Sequence, residues 1–312
     1  MFLVCGEALF DIFTRADNNG SLNKLGLEAI AGGSPFNVAI GLRRLGVEAA
    51  FFAGLSTDYL GQRLRAVLEQ EAVNPYYLID FDAPTTLAMV AVGANGSPTY
   101  SFRGEGCADR QLQLEHLPAL DEKVRGIHVG SFSLVVQPIG DTLLALVARE
   151  SNKRLITLDP NVRLNPEPDI ERWRTRIRAF AEHAHIIKVS DEDLHLLYPD
   201  RDPQGIAQEW LSKRCEFVVL TRGSEGASIF TRQHGSWSVA AQSVKTVDTV
   251  GAGDTFQAAL LTFLSERQLD NPQSLGSLPR EILNEMLGFA VRAAALTCTK
   301  VGPDLPYRHQ LT

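Results

Sequence analysis

The sequence predicts an α/β fold: an open, mainly parallel sheet with helices on both faces, plus a small antiparallel β-sheet lid. Three observations predict it. Short apolar runs alternate with helix-periodic stretches over most of the chain, the pattern of successive βαβ units. Two segments, Leu9–Ile30 and Thr85–Arg103, interrupt that alternation with strand-like pieces around turn residues. The last third turns helical. No linker rich in Pro, Gly or Ser divides the 312 residues, so 1–312 reads as one domain.

The elements follow in order. Phe2-Leu3-Val4-Cys5 is an apolar run stopped by Gly6 and predicts a buried strand. The first insertion, at about 12–32, carries the polar turn Ala16-Asp17-Asn18-Asn19-Gly20-Ser21. Pro35–Leu45 sets Phe36, Ala39, Ile40 and Leu42 at helical spacing, with Gly46 as its stop. A strand at Ala49–Ala53 and a helix at Tyr59–Gln70 come next. The second insertion, at about 84–107, alternates like a hairpin with Asn95-Gly96 at its tip. Strands at Gly126–Val129, Leu155–Leu158, Ile186–Val189 and Phe217–Leu220 are separated by helices at Ile139–Glu150, Glu171–Glu182 and Gln204–Lys213. Phe256, Ala259, Leu260, Phe263 and Leu264 then fall on one helical face, and Arg280–Thr297 forms a second long helix.

Composition narrows the function classes. A net charge of −7 with no basic block argues against nucleic acid or an anionic membrane as the main partner, though a local pocket can still take a small anion. Cys5, Cys107, Cys215 and Cys298 form no CxxC pair, which fits neither a disulfide framework nor a zinc cluster and suits a reducing cytosol. No basic n-region precedes Glu7 and Asp11, so the expectation is a cytoplasmic protein. The histidines show no metal spacing, and His183-Ala184-His185 reads as a structural pair. There is no GxxxxGK[ST], no HRD or DFG set, no GxSxG and no HExxH.

The most informative stretch is Asp248-Thr249-Val250-Gly251-Ala252-Gly253-Asp254, immediately before an apolar-periodic helix. Gly251, Ala252 and Gly253 let backbone N–H groups face a ligand at the positive end of a helix, a place for an anion such as a phosphoryl group in transfer. Asp254 has two readings: it stabilises the helix N-terminus, or it takes a proton from an attacking hydroxyl. Gly32-Gly33-Ser34-Pro35-Phe36-Asn37 is a second glycine loop before a helix, ordinary loop chemistry by itself. Polar residues also follow the strands: Asp11; Asp159, Asn161 and Arg163; Ser190 to Asp193; Thr221, Arg222 and Gly223. In an open parallel sheet the carboxyl ends of strands face the ligand crevice, so these residues point to phosphoryl transfer.

Gly32–Ala39 with Leu45-Gly46, and Asp248–Asp254, resemble in order and spacing the two signatures of the PfkB (ribokinase-like) sugar kinases. The opening Gly6–Asp11 and the run from Tyr100-Ser101-Phe102-Arg103 to Ala108-Asp109 are most similar to the fructokinase branch. The resemblance implies a ribokinase-like fold and Asp254 as catalytic base, with Gly251, Ala252 and Gly253 as the anion hole. It implies that Asp11, Gly32, Gly33 and Asn37 hold sugar hydroxyls, with Tyr100 and Arg103 reaching from the lid. Asn161 and Arg163 would lie between nucleotide phosphates and sugar. Ser190, Thr221, Gly223 and Gly226 would line the ATP site. Asp248 would serve a monovalent cation, potassium, and Asp193 or Glu192 the Mg²⁺. In the last case Ser190-Asp191-Glu192-Asp193 departs from the family's Asn-x-x-Glu, and Lys300-Val301-Gly302-Pro303 departs from its usual Gly-Ala ending.

The expected activity is therefore ATP-dependent phosphorylation of fructose to fructose 6-phosphate, by a homodimer formed through the lid. A 2-keto-3-deoxygluconate kinase is the alternative, with Tyr100 and Arg103 meeting a sugar-acid carboxylate. A silent sugar-binding protein on the same fold is the third reading.

Overall fold

A computed structural model describes residues 1–14, 23–92, 98–211 and 214–311, with residues 90–92 and 98–100 described as backbone only. In chain order the first half runs β1 (Phe2–Cys5), β2 (Leu9–Thr14), β3 (Leu27–Gly32), α1 (Ser34–Arg44), β4 (Ala49–Ser56), α2 (Tyr59–Gln70), β5 (Leu78–Phe81), β6 (Leu87–Val92), β7 (Pro98–Arg103), β8 (Gly126–Gly130) and α3 (Ile139–Glu150). The second half runs β9 (Leu155–Asp159), α4 (Ile170–Ala181), β10 (Ile186–Ser190), α5 (Asp191–Leu197), α6 (Pro203–Trp210), β11 (Phe217–Thr221), β12 (Ala227–Thr231), β13 (Gly235–Val239), α7 (Ala252–Glu266), α8 (Pro272–Leu275) and α9 (Arg280–Thr297).

The large sheet has nine strands in the order β13-β12-β11-β10-β9-β8-β1-β4-β5, parallel from β11 to β5 and closed by the antiparallel β12 and β13. Side chains of a strand alternate between faces, so every fully buried strand feeds two cores. Phe2 and Val4 pack with Phe51, α1, α2, α7 and α9, while Leu3 and Cys5 pack with Phe52, α3, α4, α5 and α6. Phe2, Leu3, Val4 and Cys5 are all 0% exposed, which accounts for the unbroken apolar run at the start of the sequence.

Helix starts follow local chemistry. Asp58, Asp169 and Asp202 cap α2, α4 and α6 by accepting backbone N–H groups. The expected helix Gln204–Lys213 is corrected to Pro203–Trp210, because Asp202 and Pro203 set its start and Leu211 turns to extended backbone. Residues 212–213 lie outside the described residues. The sequence reading also lacks β5, α5, β12, β13 and α8.

The two insertions build one four-stranded sheet in the order β3-β2-β6-β7. Each insertion is an antiparallel pair, but β2 and β6 join in parallel, which corrects the expectation of a purely antiparallel lid. The reason is topological. β2 continues from β1 and β6 follows β5, and β1 and β5 are parallel members of the large sheet, so both insertions set out in the same direction. The expected turns at Ala16–Ser21 and Asn95-Gly96 lie outside the described residues.

Candidate active site

The carboxyl ends of the parallel strands, the small sheet and the N-termini of α1 and α7 meet in one region. α7 begins after Gly251, which holds a left-handed backbone (φ 78°, ψ −1°) and provides no side-chain cap. The Ala252 N–H donates to the Thr249 carbonyl at 3.2 Å, whereas the Gly253 and Asp254 amides meet no acceptor among the described residues. Those two amides, at the positive end of a 15-residue helix, form the unclaimed part of the expected anion cradle. A Cβ on Gly251 would lie 2.9 Å from Pro303 Cα, so the loop 300–303 packs straight against the cradle.

Asp254 does not cap its own helix. Its Oδ1 accepts the Ser34 hydroxyl at 2.6 Å and its Oδ2 accepts Asn37 Nδ2 at 2.8 Å, both donors coming from the first turn of α1. The two glycine loops, more than two hundred residues apart, thus meet at a single buried carboxylate. Burial pushes its pKa above the ordinary carboxylate value, opposed by Ser34, Asn37, Lys188 and Arg163. Asp11 on β2 is lifted to about 6 by burial, with Arg163 pulling down and Asp254 pushing up. A Cβ on Gly32 would fall 2.6 Å from Asp11 Oδ2, so Gly32 leaves space for that carboxylate. Gly33 holds φ 108°, and a Cβ there would meet the Glu7 carbonyl at 2.8 Å.

Behind the cradle stands a group absent from the sequence-derived site. Lys188 on β10 is 3% exposed and donates to Asp159 Oδ2 at 2.8 Å. A Cβ on Gly253 would come within 3.1 Å of its Nζ. Burial alone would lower the Lys188 pKa, but Asp159, joined by Asp193 and Asp254, outweighs it and holds it above the ordinary value. Asp159 is itself raised by burial to about 6, with Lys188 pulling it down. A lysine inside the apolar run Ile186-Ile187-Lys188-Val189 was the available signal, since an unpaired charge does not survive in a strand buried on both faces. Ser34 was also missed, although it sits inside the first glycine loop.

The remaining expected residues divide. Arg163 is exposed, and its charge acts on both Asp11 and Asp254. Asn161 holds φ 40°, a left-handed conformation Asn tolerates, in the loop after β9. Ser190 and Thr221 pair across β10 and β11, with Gly223 in the loop beyond. Gly226 has a packing reason of its own: with φ 91°, a Cβ would sit 2.1 Å from the Val239 carbonyl. Arg103 ends β7 opposite Leu87 with its side chain exposed, and the Tyr100 side chain lies outside the described residues.

Of the carboxylates expected to serve Mg²⁺ or a monovalent cation, Asp193 and Asp248 accept backbone amides. Asp193 accepts the Val162 amide at 2.7 Å on Oδ1 and the Ser190 amide at 3.2 Å on Oδ2, closing a capping box with the Ser190 hydroxyl. Glu192 is exposed. Asp248 accepts Val250 N–H at 3.1 Å and Gly302 N–H at 2.8 Å. Burial raises its pKa less than those amides lower it, so it stays below the usual range. Among the described residues no three His, Cys, Asp or Glu side chains converge as they would around a metal ion. His185 is structural, as expected: its Nδ1 accepts the Ile156 amide at 2.9 Å, and burial takes it down to about 4. No described helix is long and apolar enough to cross a membrane.

The pfkB family carbohydrate kinase profile matches residues 1–310. A fructokinase of Rhizobium leguminosarum bv. trifolii is 38% identical over 283 residues, which is 91% of this chain and 85% of that protein. The crystal structure of fructokinase with bound ATP from Xylella fastidiosa superimposes with a TM-score of 0.87 at 24% identity, over 99% of this chain and 96% of that one, and so shares the fold. A Vibrio cholerae fructokinase double mutant, in a form with fructose, ADP and potassium ion bound, gives a TM-score of 0.83 at 26% identity, again over 99% and 96% of the two chains. A match that runs through both glycine loops and every strand between them carries one conclusion: this chain belongs to the pfkB family of carbohydrate kinases.

Proposed function

We propose that this chain is an ATP-dependent fructokinase in which Asp254 is the base and the start of α7 is the anion hole. The observation that carries the reading is the placement of Asp254: buried, in the first turn of α7 at the cradle, and aligned by Ser34 and Asn37 from the sugar-side loop. The fructokinase relatives support the acceptor. The primary hydroxyl of fructose attacks the γ-phosphorus, its proton passes to Asp254, the new O–P bond forms and the bond to the leaving ADP oxygen breaks. The amides of Gly253 and Asp254 meet the charge that gathers on the migrating phosphoryl oxygens. Asp11, Gly32, Gly33 and Asn37 would hold the sugar, Asn161 and Arg163 the zone between sugar and phosphates, and Ser190, Thr221, Gly223 and Gly226 the nucleotide. Arg103 would reach the sugar from the small sheet acting as a lid on the single kinase domain.

Magnesium would arrive with the nucleotide, and potassium would sit by the Asp248 loop. Cytoplasmic residence completes the reading, in line with four free cysteines.

An ADP-coupled assay over hexoses, pentoses, keto-acids and nucleosides, with and without potassium, tests the acceptor. Fructose is expected to give the highest kcat/KM. A higher value on 2-keto-3-deoxygluconate would replace fructose, with Arg103 then facing the acid carboxylate. A homodimer through the small sheet is proposed from exposed apolar groups near its β3 edge, Leu25 at 57% and Leu27 at 47% exposure. Light scattering on the eluting protein is expected to return the mass of two chains; the mass of one chain would remove the dimer.

A further inference from the structure

The ion pair beneath the cradle has no part in the sugar or nucleotide contacts just described. Lys188 and Asp159 are 3% and 1% exposed, and they occupy neighbouring parallel strands on the face of the large sheet that α7 covers. A buried ion pair is weak evidence for stability, since well-packed apolar side chains serve a core as well or better. This one is placed with respect to the cradle: the ammonium lies where a side chain at Gly253 would strike it. Asp159 Oδ1 is buried with no hydrogen-bond partner, so the pair is not arranged for the fullest pairing of its own polar atoms.

Resting on the kinase reading with Asp254 as base, we propose that Lys188 is a positioning residue for phosphoryl transfer: its ammonium, anchored by Asp159 behind Gly253, keeps the Asp254 carboxylate charged inside a buried site. A base that is protonated cannot take the sugar proton. Desolvation pushes Asp254 towards that protonated state, and a fixed cation on the protein side of the helix opposes it without occupying space on the substrate side. The charged groups that act on Asp254 are Lys188 from β10, Arg163 from the loop after β9, Asp11 from β2 and Asp159 from β9. Those around Lys188 are Asp159, Asp193, Asp254 and His128, and His128, held down to about 3 by burial and by Lys188, is neutral. Of the two cations, Arg163 is exposed and screened by solvent, whereas Lys188 is not.

The test uses two variants whose effects have opposite signs. Activity needs ionised Asp254 and is lost as pH falls through its pKa. Lys188→Met removes a cation, so the acid limb of kcat/KM for fructose at saturating nucleotide is expected to move up by about one pH unit, a tenfold loss below the limb. Asp159→Asn removes an anion and leaves the ammonium an acceptor, so the limb is expected to move down. A purely structural pair would move neither limb, or both the same way. Nucleotide titration is common to all the proteins and cancels in the comparison. Infrared difference titration of the free proteins reads the same shifts without turnover, the Asp254 carboxyl band being the one missing in Asp254→Asn. An Asp254 that titrates in Lys188→Met as in wild type, or lower, overturns the proposal. Should Lys188→Met fail to fold, Asp159→Asn decides: a downward shift supports the role, and an unchanged or upward one overturns it. Failure of the kinase reading shows separately, as wild-type protein that makes no ADP with fructose.

Discussion

Replacing Asp254 with Asn is expected to lower kcat about 10³- to 10⁴-fold, the upper range for loss of a positioned general base, with the KM for fructose changed less than about threefold. The substitution is isosteric, and its surroundings can adapt. Ser34 now donates to one oxygen and Asn37 to the other. With an amide at 254, the Ser34 hydroxyl can rotate to accept, and Asn37 keeps its acceptor. The fold should therefore remain, and the linkage argument predicts more than survival. Because burial raises the Asp254 pKa in the folded state, folding takes up a proton. The destabilisation is absent below the unfolded value of 3.8 and grows as pH rises towards the folded pKa, beyond which it stays constant. At neutral pH a neutral side chain escapes it, so the Tm of Asp254→Asn should equal or exceed that of wild type. Steady-state kinetics beside thermal melts check both halves. Turnover retained within tenfold would remove Asp254 from the chemistry, and a collapsed Tm would recast it as a structural residue.

The second large effect is expected at Gly251. Alanine there must adopt the left-handed region at φ 78°, which costs about 1–2 kcal/mol for an L-residue. Its methyl would also sit 2.9 Å from Pro303 Cα, a backbone atom that cannot swing aside. Either the 300–303 loop or the first turn of α7 has to move, and with it the free amides of Gly253 and Asp254. We expect kcat to fall about 10²- to 10³-fold, as when a donor to a developing anion is lost, together with a lower Tm. Gly253→Ala is the control for stability. It has no positive φ, and its methyl would meet only the tip of Lys188, so its Tm should fall less. Gly251→Ala with wild-type kcat would show that the cradle lies elsewhere.

Much of the architecture is legible in the sequence because its causes lie close together along the chain. Apolar runs such as Phe2–Cys5 need only their own composition and a stop at Gly6 to declare a buried strand. The helix after Gly251-Ala252-Gly253-Asp254 declares itself by spacing and by the glycines before it. Elements whose signal is weak or divided escaped: β13, Gly-Ser-Trp-Ser-Val, is a polar edge strand, and α5 is a short helix whose acidic first turn resembles a ligand motif. Ser190-Asp191-Glu192-Asp193 reads equally as a cation motif or a capping box, and Asp193 makes the hydrogen bonds of the box.

By itself the sequence determined most of the succession of strands and helices, the two glycine loops and the residue types available for chemistry, because periodicity and turn preference act over a few residues. Only the tertiary structure decided which groups were desolvated together. It brought Ser34 and Asn37 to Asp254, set Lys188 against Asp159 behind the cradle, and ran β2 beside β6 in parallel. Hydrogen bonding and ionisation depend on neighbours in space, and those neighbours come from strands and helices far apart in the chain.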